Sequence, residues 1–151
     1  MIKIHNNTPT REDIPSFLQG LKQESLYDLS WTDPNLGVSD CRWYPEVDES
    51  LPLTYNQKYD GEVLTVDEEN KLVKVVKNIV SLTEEELELK RTQLENSAQI
   101  RIEIETAYAN KNIERNVNKA EVFEQYKIDL SLVPSQTNYP FEITWPSQPT
   151  L

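Results

Sequence analysis

Four of the nine prolines in this chain fall near its end, at Pro134, Pro140, Pro146 and Pro149. Proline fixes φ and removes a backbone donor, so residues 133–151 can enter neither a helix interior nor a central strand. The same stretch holds Tyr139, Phe141 and Trp145. The expected form is a stiff, polyproline-like strap that offers its rings to a surface. That surface belongs either to the chain itself, whose thin core the rings would complete, or to a partner on which they would dock. The residues leave both readings open.

The supply of apolar side chains makes the question pressing. Only 37% of the 151 residues are hydrophobic, against roughly 45–50% in ordinary globular chains. A modest core is expected, without a large enclosed catalytic pocket. Net charge is -11, from 26 acidic and 15 basic residues. Nucleic-acid binding needs clustered Lys and Arg, and an anionic membrane surface would repel such a chain, so neither partner is expected. Self-repulsion keeps copies dispersed and leaves other proteins as the expected partners. A single cysteine, Cys41, rules out an internal disulfide framework. Met1 is followed by Ile2-Lys3-Ile4-His5-Asn6 without an apolar run, so no secretory signal is expected.

Local signals divide the chain into three parts and predict an α+β fold. Residues 1–80 read as a small, loop-rich β domain. Ile2 and Ile4 alternate with polar residues as in a short strand. Thr10 and Asp13 suggest one helical turn through Ile14, Phe17 and Leu18, stopped by Gly20. Trp31, Trp43, Tyr44 and Tyr55 are the expected core anchors. The β-branched runs 62–66 and 72–76, joined by Asp67-Glu68-Glu69-Asn70, predict a hairpin.

Residues 81–132 read as helical. Thr83 and Glu86 form a capping box, and Glu84, Glu85 and Glu86 suit the positive end of the helix dipole. A long charged helix is expected over 84–110, with a polar break, or merely a bend, at Asn110-Lys111-Asn112. Ile100-Arg101-Ile102-Glu103-Ile104 also alternates as a strand would. Read as helix, it puts isoleucines on opposite faces, which calls for packing on both sides and suggests a homo-oligomer or coiled coil. Val117, Ala120, Phe123, Tyr126 and Leu130 predict a shorter second helix, as half of a helical hairpin or the continuation of one broken helix. The extended tail, 133–151, completes the chain.

Constellations that carry catalysis or bind cofactors are poorly represented. His5 is the sole histidine, and no second imidazole exists to complete a metal site. Cys41 has no base beside it in the chain. Three glycines cannot build a phosphate loop. Asp67-Glu68-Glu69-Asn70 imitates the start of a calcium loop but lacks its glycine and its closing glutamate, where Asn78 stands. The expectation is a protein that is not an enzyme and carries no metal or cofactor.

One ordered set of residues has a familiar form: Trp31, Trp43-Tyr44-Pro45, Leu82 to Glu86, Tyr126, Leu130, Val133-Pro134, Tyr139-Pro140, Trp145-Pro146 and Pro149. It resembles the tail assembly chaperones and tail-fibre assembly proteins of tailed bacteriophages, most closely over residues 81–149. The Arg-rich stretch and Asp-Trp element common in that helical region are missing. The resemblance implies a non-enzymatic chaperone that binds a tail-fibre or other tail protein during folding or attachment. It would act in the host cytoplasm, and some such proteins stay in the virion tail. The alternative it allows is a permanent adaptor of the tail, baseplate or fibre, oligomerised through the helix 84–110. Tyr139, Pro140, Phe141, Trp145 and Pro146 are the expected partner-binding residues, because aromatics supply large contact area at low entropic cost.

Overall fold

Alternation at Ile2 and Ile4 does make a strand, β1 (Ile2–His5), and its partner follows within a few residues. Asn6 and Asn7 both take positive φ, 47° and 60°, as a two-residue hairpin turn requires, and lead into β2 (Thr8–Thr10). The computed structural model describes all 151 residues, in two compact units, Met1–Ser81 and Leu82–Leu151. The fold is α+β.

In the first unit, β3 (Cys41–Tyr44) pairs antiparallel with β1 to give the order β2-β1-β3. A second sheet has the order β4-β6-β5, with β4 (Glu46–Asp48) parallel to β6. The hairpin expected over 62–76 is longer than its β-branched core: β5 covers Gln57–Asp67 and β6 covers Leu72–Ser81. The extra length lies beyond a register shift between Tyr59 and Glu62. Gly61 sits at that irregularity with φ 80°, a value that a residue with a Cβ adopts at a cost. The turn at Asp67 is held locally, by Asn70 donating its backbone N–H (3.0 Å) and its side-chain amide (3.0 Å) to the Asp67 carboxylate.

Alternation along β3 serves two cores at once. Ile2, Ile4 and Tyr44 point one way and cluster with Val73, Leu64 and Val66 of the second sheet. Cys41 and Trp43 point the other way, against Leu18, Leu26, Leu29 and Val38 from the loops between β2 and β3. The single turn expected near Ile14 is a short 3-10 turn, Ser16–Leu18, with Leu18 buried. Charges cross between the sheets: Arg11 at the end of β2 meets Glu46 (2.8 Å) and Glu62 (2.9 Å). Two of the four expected anchors are wrong. Trp43 and Tyr44 are buried, but Trp31 is 62% exposed and Tyr55 50% exposed. Both lie in turns outside the strands, where alternation does not aim a ring at the core.

In the second unit the capping box is present in full. Thr83 Oγ1 accepts the Glu86 N–H (3.2 Å), and the Glu86 carboxylate accepts the Thr83 N–H (3.0 Å). Thr83→Ala should therefore lower the stability of this unit by about 1 kcal/mol, read from its thermal midpoint. The helix it starts, α1, runs over Glu84–Arg115. The break expected at Asn110-Lys111-Asn112 is absent. Asn112 is buried inside the helix and turns its amide back to the Tyr108 carbonyl (3.0 Å), so the polar residue is satisfied without interrupting the ladder. The chain reverses instead at Asn116, passes a 3-10 turn (Val117–Lys119), and enters α2 (Ala120–Ser131). Glu105 meets Tyr126, and Tyr108 meets Phe123. This antiparallel register makes the pair a helical hairpin rather than one broken helix.

Candidate functional site

At 1.5 Å per residue, α1 is about 48 Å long and α2 only about 18 Å. The shorter helix therefore covers only part of the longer one. The tail covers a further part, from Arg91 to the hairpin end. It is less extended than its prolines suggest: Val133–Ser135 is a 3-10 turn, and turns continue to Phe141, past a cis Tyr139–Pro140 peptide. Gln136 closes the loop, accepting the Thr144 N–H (2.8 Å) and donating to the Thr144 carbonyl (2.7 Å), as a neighbouring strand would. From Ile143 onward the chain has no regular secondary structure.

This strap runs along its own helices. The Arg91 guanidinium lies over the Phe141 ring (5.1 Å), and that of Arg101 over the Trp145 ring (4.1 Å). Trp145 also packs against the cluster of Ala109, Phe123, Tyr126 and Leu130. Farther on, Gln148 donates to Glu105 (3.0 Å), and Lys119 donates to the Thr150 carbonyl (2.9 Å). Glu105 is the junction, because the same oxygen also accepts the Tyr126 hydroxyl (3.0 Å).

Of the five residues expected to bind a partner, Pro140 is buried, and Tyr139, Phe141, Trp145 and Pro146 are half-buried. Pro140 thus packs within its own unit. The ring faces of Phe141 and Trp145 are turned to arginines of α1. Sequence alone left self-packing and docking open, and for these rings much of the area is used within the unit. Trp145 packs where α1 and α2 meet, and Phe141 lies on the stretch of α1 beyond α2.

What stays uncovered is a different set. Leu89, Ile100 and Ile104 are 61%, 58% and 64% exposed. They lie on the side of α1 away from the row Ala98, Ala109 and Asn112 that is buried. The isoleucines expected on opposite faces are therefore present, with Ile100 and Ile104 out and Ile102 half-buried.

Burial, and then hydrogen bonding to the Glu105 carboxylate, push the Tyr126 hydroxyl up from its ordinary 10 to about 12. An unfolded tyrosine ionises first, so this contribution to stability is complete below pH 10 and is lost as pH rises from 10 to 12. The midpoint of the second unit should fall across that window, and Tyr126→Phe should flatten the fall. Absorbance at 295 nm during an alkaline titration reads the same event.

A second cluster, in the first unit, has no counterpart in the sequence signals. Pairing of β1 with β3 sets His5 opposite Cys41 on one face, and the turn before β3 brings in Asp40. His5 Nε2 meets Asp40 Oδ2 at 2.9 Å, and Cys41 Sγ lies 3.6 Å from Asp40 Oδ1. Burial, then the Asp40 carboxylate, push the Cys41 thiol up, which disfavours a resting nucleophilic thiolate. Nearby, the Lys3 ammonium pairs with Glu12 (2.7 Å) and holds that carboxyl below its usual range. The neighbouring base missing from the local sequence around Cys41 is supplied across the sheet.

No helix is long and apolar enough to cross a membrane. Comparison with protein-family models, with curated proteins and with solved structures finds no match to this chain.

Proposed function

We propose that this chain is an assembly chaperone of a tailed bacteriophage, holding a tail-fibre or other tail protein during folding or attachment. The observation that carries the reading is the uncovered row Leu89, Ile100 and Ile104 on a helix whose other side is already occupied. Exposed aliphatic residues at helical spacing, on a chain of net charge -11, suit a protein that covers apolar client surface while its copies repel one another. The ordered motif from Tyr126 through Pro149 supports the same reading by resemblance. On this account Phe141 and Trp145 act mainly by fixing the strap to α1.

Ile100→Lys with Ile104→Lys tests the proposal. Both side chains face solvent, so helix content by circular dichroism should be retained. Co-purification with the tail-fibre subunit encoded nearest to it should drop at least about tenfold, as loss of apolar anchors at an interface does. Undiminished capture by a folded double variant overturns the assignment of this face. The same row would equally seat a second copy of the chain, which is the adaptor reading. Light scattering of the isolated protein and its copy number in purified virions separate the two: a monomer missing from virions is a chaperone, and a stoichiometric oligomer is an adaptor.

A further inference from the structure

We propose that His5, Asp40 and Cys41 form a binding site for a borderline-soft divalent transition metal, Zn2+ above all. One ring nitrogen of His5, one carboxylate oxygen of Asp40 and the Cys41 Sγ all lie within 4.8 Å of one another. Tetrahedral zinc with ligands at roughly 2.0–2.3 Å needs its donor atoms about 3.3–3.8 Å apart. His5 lies 2.9 Å from one oxygen of Asp40 and Cys41 lies 3.6 Å from the other, and with the triad closing within 4.8 Å, a turn of the exposed side chains by about 1 Å admits the ion. Three protein donors leave the fourth position to water.

Donor type and local charge select the class of ion. Imidazole and thiolate favour zinc and its neighbours over Mg2+ or Ca2+, which take oxygen ligands. Asp40 and a Cys41 thiolate together supply two negative charges for a dication. The thiol gives its proton to solvent as the sulfur–metal bond forms. Of the cations nearby, Lys3 is paired with Glu12 at 2.7 Å, and Arg42 and Lys71 are paired with Glu68. Rigidity comes from the backbone. His5 and Cys41 are cross-strand neighbours in β1 and β3, and the turn bearing Asp40 is closed by the Cys41 N–H to the Val38 carbonyl (2.9 Å). Ligands held on paired strands lose little freedom when a metal binds.

The full-length chain, reduced and freed of metal, should bind one Zn2+ per chain by calorimetry and ignore Mg2+. Loading with Co2+ should produce a near-ultraviolet thiolate-to-cobalt charge-transfer band together with intense tetrahedral visible bands. His5→Ala and Asp40→Asn, both at partly exposed side chains, should each weaken Zn2+ binding by about a hundredfold or more, since even an outer-shell partner costs tenfold to a hundredfold. Cys41→Ser should abolish the charge-transfer band. Because Cys41 is packed in a core, the two other variants decide the matter if that one does not fold. Absence of the thiolate band in the unaltered chain, or equal Zn2+ affinity in His5→Ala and Asp40→Asn, overturns the proposal.

Discussion

Phe123→Ala should destabilise the second unit by about 3–5 kcal/mol, the usual cost of removing a fully buried aromatic ring. Phe123 is 0% exposed. It meets Tyr108 edge-on at 6.0 Å and belongs to the cluster that Trp145 joins. The cavity would undercut both α2 and the strap, because the same few side chains carry both. Chymotrypsin should then cut after Phe141, a bond that the intact unit protects by turning the ring to Arg91. Urea denaturation gives the energy, and mass spectrometry of the digest shows whether the strap was released. A variant losing less than about 1 kcal/mol would mean that the hairpin does not depend on this ring.

Trp43→Ala should have a comparable effect on the first unit, again about 3–5 kcal/mol. Folded domains have only about 5–15 kcal/mol of net stability, so the loss would remove a large share of what holds this unit together. Trp43 is 1% exposed among Leu18, Leu26, Leu29, Val38 and Cys41. Its indole N–H donates to the Glu12 carbonyl (3.2 Å), and the Lys3 ammonium stands 5.7 Å over its ring. Truncation would leave a void, free a carbonyl and loosen the loops that have little other core. Near-ultraviolet circular dichroism should lose the contribution of the buried Trp43, and amide exchange at residues 2–5 and 41–44 should accelerate. Protected amides in those strands would contradict the prediction. The zinc site offers a cross-check, since His5 and Cys41 lie on the same face of the same strands as Trp43.

The two variants also bear on the proposed function. A released strap in Phe123→Ala exposes Tyr139, Phe141 and Trp145 together. If the rings were the client anchors, capture would persist or rise while the unit loosened. If the outer row of α1 is the contact, capture should fall with the order of the helix. The comparison with Ile100→Lys and Ile104→Lys therefore separates a ring-mediated grip from a helix-mediated one.

Several elements were legible from single residues and their near neighbours. The capping box at Thr83 and Glu86 needs only the residues it joins. The β1 strand and the 62–76 hairpin follow from alternation and β-branching. In each case the deciding energy acts over a few positions, so the chain carries the answer in its local order. The break at Asn110 to Asn112 was misread because helix propensity says nothing of where a side chain finds its partner. Asn112 finds one in its own helix, at the Tyr108 carbonyl. Trp31 and Tyr55 were misjudged for a related reason, since aromatic identity does not tell a turn residue which way to point.

By itself, then, the order of residues settled the fold class, the strands with clean alternation, the start of the long helix and the acidic net charge. Tertiary structure alone decided that the chain reverses at Asn116, that the strap lies on α1 beneath Arg91 and Arg101, and that His5 meets Cys41. Each of these joins groups far apart in the chain. Their meeting depends on helix lengths, strand register and competition for a small apolar surface, quantities that exist only once the whole unit has packed.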